Sequence, residues 1–257
     1  MNLIEIKNLT VIFPGQKPAV NGFSMEIQEK SFVSLVGESG SGKTVTALSI
    51  SRLVMGAKTT GDIVYRPNTA ASLSLLTLSE ADLLKIRGVR ISYVFQDPGS
   101  SLNPVLKVGK QIIESFLAHE KGNANEARSK ALQIMRRVGI EDAERVYKSF
   151  PHELSGGLRQ RAMIASALMI DPELLIADEP TTALDAVTQR GILKLLVELQ
   201  KEQGLTVLFI THDLSLAQKN SDQIYVMEKG ARATESYAKK LFNAQLENAV
   251  PKSFIEV

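Results

Sequence analysis

Gly37-Glu38-Ser39-Gly40-Ser41-Gly42-Lys43-Thr44 decides how this chain is read. An apolar run, Phe32-Val33-Ser34-Leu35-Val36, precedes it, and a helix-compatible segment opening Val45-Thr46-Ala47-Leu48 follows. The setting is strand, tight loop, helix. Gly37, Gly40 and Gly42 tolerate positive φ and close backbone approach, so the loop through Ser39 and Ser41 can turn successive N–H groups inward around phosphate oxygens. The N-terminus of the following helix adds partial positive charge. Lys43 then reaches the terminal phosphates, and the Thr44 hydroxyl is placed for a Mg²⁺ that bridges them. The plainer alternative is a glycine-rich turn with an exposed lysine; the strand before and the helix after count against it.

Composition sets the outer limits. The 257 residues suffice for one large α/β domain with a buried core, and the expectation is a nucleotide-binding domain with an inserted subdomain. Hydrophobic residues at 44% and charged residues at 23% are ordinary for a globular chain. A net charge of +2 makes no case for nucleic acid, which would call for a basic stripe. The sequence has no cysteine, so disulfides, thiolate metal sites and thiol catalysis are excluded. Met1-Asn2-Leu3-Ile4-Glu5-Ile6-Lys7 alternates like a strand rather than a signal peptide, and no apolar run approaches the ~20 residues that cross a bilayer. The chain is expected to be cytoplasmic in character, with docking on a membrane protein left open.

Outward from the loop, Leu3–Phe13 and Phe23–Ile27 read as strands with connections too short for crossover helices, hence antiparallel. Phe13 is a candidate platform for adenine stacking or, on the same pattern, a core strand residue. Gly61–Tyr65 is a further strand, Pro67–Thr77 an exposed loop, and Ser79–Ile86 a short helix capped by Ser79. Ile91–Phe95 is a strand, after which Pro98 and Gly99 are expected to stop regular structure. From Val108 to about Tyr147 the pattern is helical, with Ile112, Ile113, Phe116 and Leu117 on one face and Ala131, Leu132, Met135 and Val138 on another. This segment reads as a helical subdomain set into the α/β core, and His119 as a solvated residue on it. Leu174–Ala177 and Leu205–Ile210 are apolar strands flanking a helix over Ala186–Gln203, the signature of a parallel sheet covered on both faces. Ligands bind at the carboxyl ends of such strands, where the phosphate loop, Asp178 and His212 all fall.

Asp178 and Glu179 close the strand at Leu174–Ala177. The first can hold Mg²⁺, and the second can orient and polarise a water for attack on a γ-phosphate. Read alone, the pair could be two solvated carboxylates; the phosphate loop upstream weighs against that. Leu154-Ser155-Gly156-Gly157-Leu158-Arg159-Gln160-Arg161 precedes another helix, expected to run to about Ile170. Ser155, Gly156 and Gly157 put a hydroxyl and bare N–H groups at its N-terminus, a second anion site. One Mg²⁺ set with two phosphate sites is explained most simply if Ser155 and its glycines grip the γ-phosphate of ATP held by another subunit.

Taken together, these stretches resemble the ATPase subunit of an ABC transporter. The phosphate loop, Gln96, Leu154–Gly157, Asp178-Glu179-Pro180, Ala183-Leu184-Asp185 and Thr211-His212-Asp213 occur in that family's order, over about Leu3 to Gly230. The resemblance implies a P-loop NTPase α/β core with an antiparallel β subdomain and an inserted helical subdomain at about 100–155, the ATPase domain spanning 1–230 and a divergent tail 231–257. It implies that Gln96 contacts Mg²⁺ and water, that Asp185 faces the partner, and that His212 touches the γ-phosphate. For His212, a place in the Thr211/Asp213 helix cap is the rival reading.

Phe95-Gln96-Asp97-Pro98 followed by Ser101-Leu102-Asn103-Pro104, and Phe150-Pro151-His152-Glu153 before the Ser155 turn, are similar to the importers of peptides, nickel and metal chelates. Leu158 stands where the wider family usually has Gln, and the iron–sulfur-like cysteines of many longer members are missing. The resemblance implies ATP and Mg²⁺ as cofactors and a related, non-identical ATPase subunit as partner. It also implies two transmembrane permease subunits, contacted through Gln96–Pro104, an extracytoplasmic solute-binding protein, and a peripheral place on the cytoplasmic face of the membrane. A soluble ABC ATPase of DNA repair or translation is the rival, and the coiled coils, zinc modules or second cassette usual there are not visible.

Overall fold

The computed structural model describes residues 1–67, 71–119, 122–182 and 184–245. Part of the loop expected over Pro67–Thr77, Ala183 of the Ala183-Leu184-Asp185 stretch, and the tail beyond residue 245 lie outside the described residues. The strands are β1 (Asn2–Ile12), β2 (Val20–Gln28), β3 (Phe32–Val36), β4 (Lys58–Tyr65), β5 (Leu73–Ser74), β6 (Ile91–Val94), β7 (Leu174–Asp178), β8 (Thr206–Thr211), β9 (Gln223–Glu228) and β10 (Ala231–Arg232). The helices are α1 (Lys43–Ile50), α2 (Glu80–Leu84), α3 (Pro98–Ser101), α4 (Val108–Ile112), α5 (Glu114–His119), α6 (Ala124–Arg137), α7 (Ala143–Lys148), α8 (Gly156–Ala167), α9 (Ala186–Gln203), α10 (Leu214–Asn220) and α11 (Glu235–Gln245). The chain packs as two compact units, one formed by Met1–Leu83 with the chain from Gln200 onward, the other by Leu84–Leu199.

In the first unit, β2-β1-β4-β5 form an antiparallel sheet, as the short connections require. Alternation works on β1, where Ile4, Ile6, Leu9 and Val11 are buried and the residues between them are not all so. The strand feeding the phosphate loop leaves this sheet. β3 is buried at every position and lies between β8 and β9, parallel to both. A strand covered on two faces cannot alternate, which is why Phe32–Val36 is an unbroken apolar run around a single serine. β9 continues through a tight turn into β10, its antiparallel neighbour. The tail then folds as α11, whose Ala238 is buried with Val36, Leu214, Ala217, Ile224, Val226 and Ala233, with Tyr237 and Leu241 packed against the cluster. Residues 231–241 therefore contribute to this unit's core rather than forming a separate tail.

In the second unit, β6 and β7 pair in parallel, Tyr93 opposite Ile176 and Val94 opposite Ala177. Helices α4 to α8 pack together, with Ile112, Ala131, Met135, Val138, Val146 and Ile164 buried. The capping box of Asn123 and Glu126 starts α6, and Arg136 and Arg137 complement its carboxyl end.

Three local expectations are corrected. Pro98 and Gly99 do not end regular structure: Pro98 opens the one-turn α3, where its missing N–H costs nothing, and the Asp97 carboxylate accepts from the Gly99 N–H. The Pro67–Thr77 stretch is not all exposed loop, since Leu73 and Ser74 pair with β4 and Leu75 is buried. Leu117 is 44% exposed, because the chain breaks at Ile113 between two short helices and a continuous helical face is not kept.

Candidate functional site

The first unit builds the phosphate loop between β3 and α1. Gly42, at φ 105°, is the left-handed residue before α1, and no side chain caps the helix. The loop is held from behind by the turn after β9. A Cβ on Gly37 would lie 2.3 Å from the Met227 carbonyl oxygen, and one on Gly42 would lie 2.5 Å from that of Ala19. The Gly230 N–H donates to the Ser41 carbonyl at 2.9 Å. Lys43 is almost wholly buried and donates to the carbonyls of Gly37 (2.9 Å) and Glu38 (2.8 Å), so the loop itself aims the ammonium. The Ser41 hydroxyl is buried without a hydrogen-bond partner. An orphan of this kind costs about 1–3 kcal/mol, while the buried Lys43 ammonium is the charge that a phosphate would meet at this loop. The loop thus fits a nucleotide's phosphates by its own chemistry.

Other expected residues of this unit gather at the same strand ends. Thr44 follows Lys43 on the exposed side of α1, and Gly40 and Ser39 form the exposed crown of the loop. In the β3–β8 register Val36 faces Thr211, so Gly37 and His212 leave adjacent strands side by side. His212 is exposed, while Thr211 accepts from the Asp213 N–H and Asp213 caps α10 through Leu216 N–H. The cap is made by the flanking residues and leaves the imidazole on the surface. Phe13 lies just past β1, half-buried in the turn closed by Gln16. Burial, then a hydrogen bond with Glu38 of the phosphate loop, raise the Tyr237 phenol above its ordinary pKa, so α11 touches the loop directly.

The second unit carries the carboxylates. Asp178 ends β7, is 3% exposed, and accepts a hydrogen bond of 2.7 Å from the Tyr93 hydroxyl on β6. Burial first, and then the Asp178 charge, push the Tyr93 phenol far above the usual tyrosine range, so it stays a donor. Glu179 adopts φ 44°, a left-handed conformation uncommon for glutamate and often met at functional sites. One of its carboxylate oxygens accepts from Gln96 Nε2 (3.1 Å) and from Thr182 Oγ1 (2.8 Å). With its amide nitrogen so used, Gln96 keeps its carbonyl oxygen available. That oxygen and the Asp178 carboxylate are hard donors of the type Mg²⁺ takes along with phosphate oxygens and water, so this unit's donor chemistry fits the ion; the Thr44 hydroxyl of the first unit is a donor of the same type.

Ser155, Gly156 and Gly157 begin α8, with Ser155 Oγ accepting from Leu158 N–H at 3.4 Å. This turn packs on the segment after Glu179: a Cβ on Gly156 would meet Leu184 Cδ2 at 3.3 Å, and one on Gly157 would meet Thr188 Cγ2 at 2.6 Å. Asp185 in turn caps α9, accepting from Val187 N–H, Thr188 N–H and Thr188 Oγ1 at 3.0, 3.0 and 2.6 Å. The hydrogen bond from the Thr188 hydroxyl holds the Asp185 carboxyl below the usual carboxylate range. The structure thus brings together Asp178, Glu179 and Gln96 at one place in this unit, and Ser155–Gly157 with Asp185 at another. Sequence reasoning missed Tyr93, Thr182 and Thr188. A polar residue on the strand beside an acidic strand end is the signal that could have found Tyr93.

A family model described as ABC transporter matches residues 20–182. The chain belongs to the ABC transporter family. This ABC chain is 43% identical over 260 residues to a probable peptide ABC transporter ATP-binding protein, y4tR of Sinorhizobium fredii, covering 94% of this chain and 76% of that protein. It is 42% identical over 243 residues to the oligopeptide transport ATP-binding protein AppD of Bacillus subtilis, covering 93% and 74% respectively. Among solved structures it is similar to the ATP-binding cassette MJ0796, a dimer in a post-hydrolysis state bound to ADP and Pi, with TM-score 0.78, 32% identity, and coverage of 90% of this chain and 97% of that one. CbiO1 of Clostridium perfringens, part of the transporter complex cbiONQ, matches with TM-score 0.77 and 27% identity over 96% of each chain. The chain is therefore an ATP-binding and ATP-hydrolysing cassette with the ABC-type P-loop fold, and the soluble rival from DNA repair or translation is not favoured.

Proposed function

We propose that this cassette powers a peptide importer by closing on a second, related ATPase subunit with nucleotide held between them. The observation that carries the reading is Glu179, held in a left-handed turn by Gln96 and Thr182 one residue beyond the buried Asp178. Lys43 and the N–H groups of the Gly37–Thr44 loop bind and orient the phosphates, and Glu179 orients the attacking water and takes its proton. His212 contacts the γ-phosphate, Phe13 supports the adenine, and Ser155, Gly156 and Gly157 with Asp185 serve the nucleotide bound by the partner. Thr44, Asp178 and Gln96 would hold Mg²⁺, which when bound supplies charge compensation for the phosphates.

The peptide assignment is supported by relatives named for peptide and oligopeptide transport, and the dimer by a solved neighbour that is itself dimeric. Nickel and metal chelates, part of the wider group resembled, find no such support in those names. Two transmembrane permease subunits and an extracytoplasmic solute-binding protein complete the importer, with the cassette peripheral on the cytoplasmic face and its ATPase domain running past residue 230 through α11. No described helix is long and apolar enough to cross a membrane, so on this reading the spanning segments belong to other subunits. Free energy from the different affinity of open and closed forms for ATP drives the permeases.

Glu179→Gln tests this account. Turnover falls by about 10²- to 10⁴-fold while ATP binding persists and a nucleotide-dependent dimer accumulates, read by phosphate release and light scattering. Full ATPase activity in the variant removes Glu179 from its role.

A further inference from the structure

We infer that Tyr93 is a positioning residue for the metal-side carboxylate: its hydroxyl fixes the orientation of Asp178, and through it the affinity of the nucleotide complex for Mg²⁺. The inference rests on the assignment of Asp178 proposed above.

Tyr93 lies opposite Ile176 in the parallel β6–β7 pair, so the two side chains share a face. Asp178 is two residues beyond Ile176 and returns to that face, displaced along the strand by about 6.6 Å. A tyrosine leaning along the strand direction spans that displacement and ends in a donor, and the hydroxyl is found 2.7 Å from Asp178 Oδ2. No shorter side chain at 93 could reach, and phenylalanine would reach without a donor. The ring is itself braced by Phe95, centroids 4.6 Å apart with the planes tilted by 38°. Because Asp178 is buried, its carboxylate has few orientations in which both oxygens are satisfied, and a hydrogen bond to a charged acceptor is among the stronger ones available. One oxygen committed to Tyr93 directs the remaining acceptor capacity of the group away from β6. Groups that hold a ligating carboxylate from behind typically govern metal affinity by about 10–100-fold.

Tyr93→Phe removes the donor and keeps the ring. Binding of a fluorescent ATP analogue is measured first in EDTA and then as Mg²⁺ is titrated, alongside wild type and Asp178→Asn. We expect the EDTA affinity of Tyr93→Phe to stay within about twofold of wild type, which also reports that the protein is folded, and its Mg²⁺ half-saturation to rise about tenfold. ATP turnover at saturating Mg²⁺ recovers much of its wild-type value in Tyr93→Phe but not in Asp178→Asn. If Asp178→Asn loses the Mg²⁺ response and Tyr93→Phe titrates like wild type, the positioning role is overturned and the assignment of Asp178 stands. If Asp178→Asn itself titrates like wild type, the assignment fails and the inference with it. A Tyr93→Phe protein that binds poorly in EDTA as well would show a general packing role and also overturn the inference.

Discussion

The two helix N-termini that read alike as anion sites are built in opposite ways. At α1 the residue before the helix is Gly42, which has no side chain to cap with and sits at φ 105°. At α8 it is Ser155, in an ordinary extended conformation, whose own hydroxyl accepts from the Leu158 N–H. The first terminus is shaped by backbone and takes no side-chain cap; the second is closed by a side chain that can still donate its proton outward while it caps. A loop of the first kind suits nucleotide binding within one chain, and a lightly capped turn suits contact with a nucleotide that arrives and leaves with a partner. The supports differ too. The first is braced by main-chain atoms of Met227 and Ala19, the second by the side chains of Leu184 and Thr188.

Three substitutions would break or sharpen the contrast. The largest effect is expected at Gly42→Ala, where a Cβ meets main-chain oxygen and the left-handed conformation is strained. We expect a loss of ~1–3 kcal/mol of stability and a fall in ATP affinity on the order of 100-fold, measured by denaturant unfolding and nucleotide titration. Gly157→Ala comes next. Its Cβ meets Thr188 Cγ2 at 2.6 Å, and Thr188 is held by two hydrogen bonds to Asp185, so it cannot turn aside freely. The cost is about 1–2 kcal/mol, and adding Thr188→Ser, which removes the methyl and keeps the hydroxyl, restores most of it. A double mutant no better than Gly157→Ala would mean that the turn does not rest on Thr188. Smallest is Ser155→Ala: at 3.4 Å the cap is weak, and the expected stability loss is about 0.5 kcal/mol, with monomer ATP affinity unchanged and dimer turnover reduced. A large drop in monomer ATP affinity would erase the distinction between the two termini.

What could be read in advance follows the same division. The Gly37–Thr44 loop and the helix start at Ser155 are encoded within a few residues, so spacing alone exposed them, while the capping by the Ser155 hydroxyl emerged only from the structure. β8 and α9 were legible because long apolar runs and helical periodicity survive without tertiary context. β9, β10 and α11 were not, since their burial depends on where β3 and α10 lie, and β5 is two residues that make sense only beside β4. Tyr93 looked like a strand residue, and only the β6–β7 register reveals its carboxylate partner. The left-handed Glu179 carries no sequence mark at all.

The brace behind the phosphate loop also sets an order of events during synthesis. Residues 37 to 44 leave the ribosome early, yet the carbonyl of Met227 and the N–H of Gly230 that hold them are made much later. A nascent chain stalled before the β9–β10 turn would carry the whole nucleotide motif and still lack the backing that gives it shape. Competence to hold ATP would therefore switch on only after the β9–β10 turn has been made and has closed behind the loop.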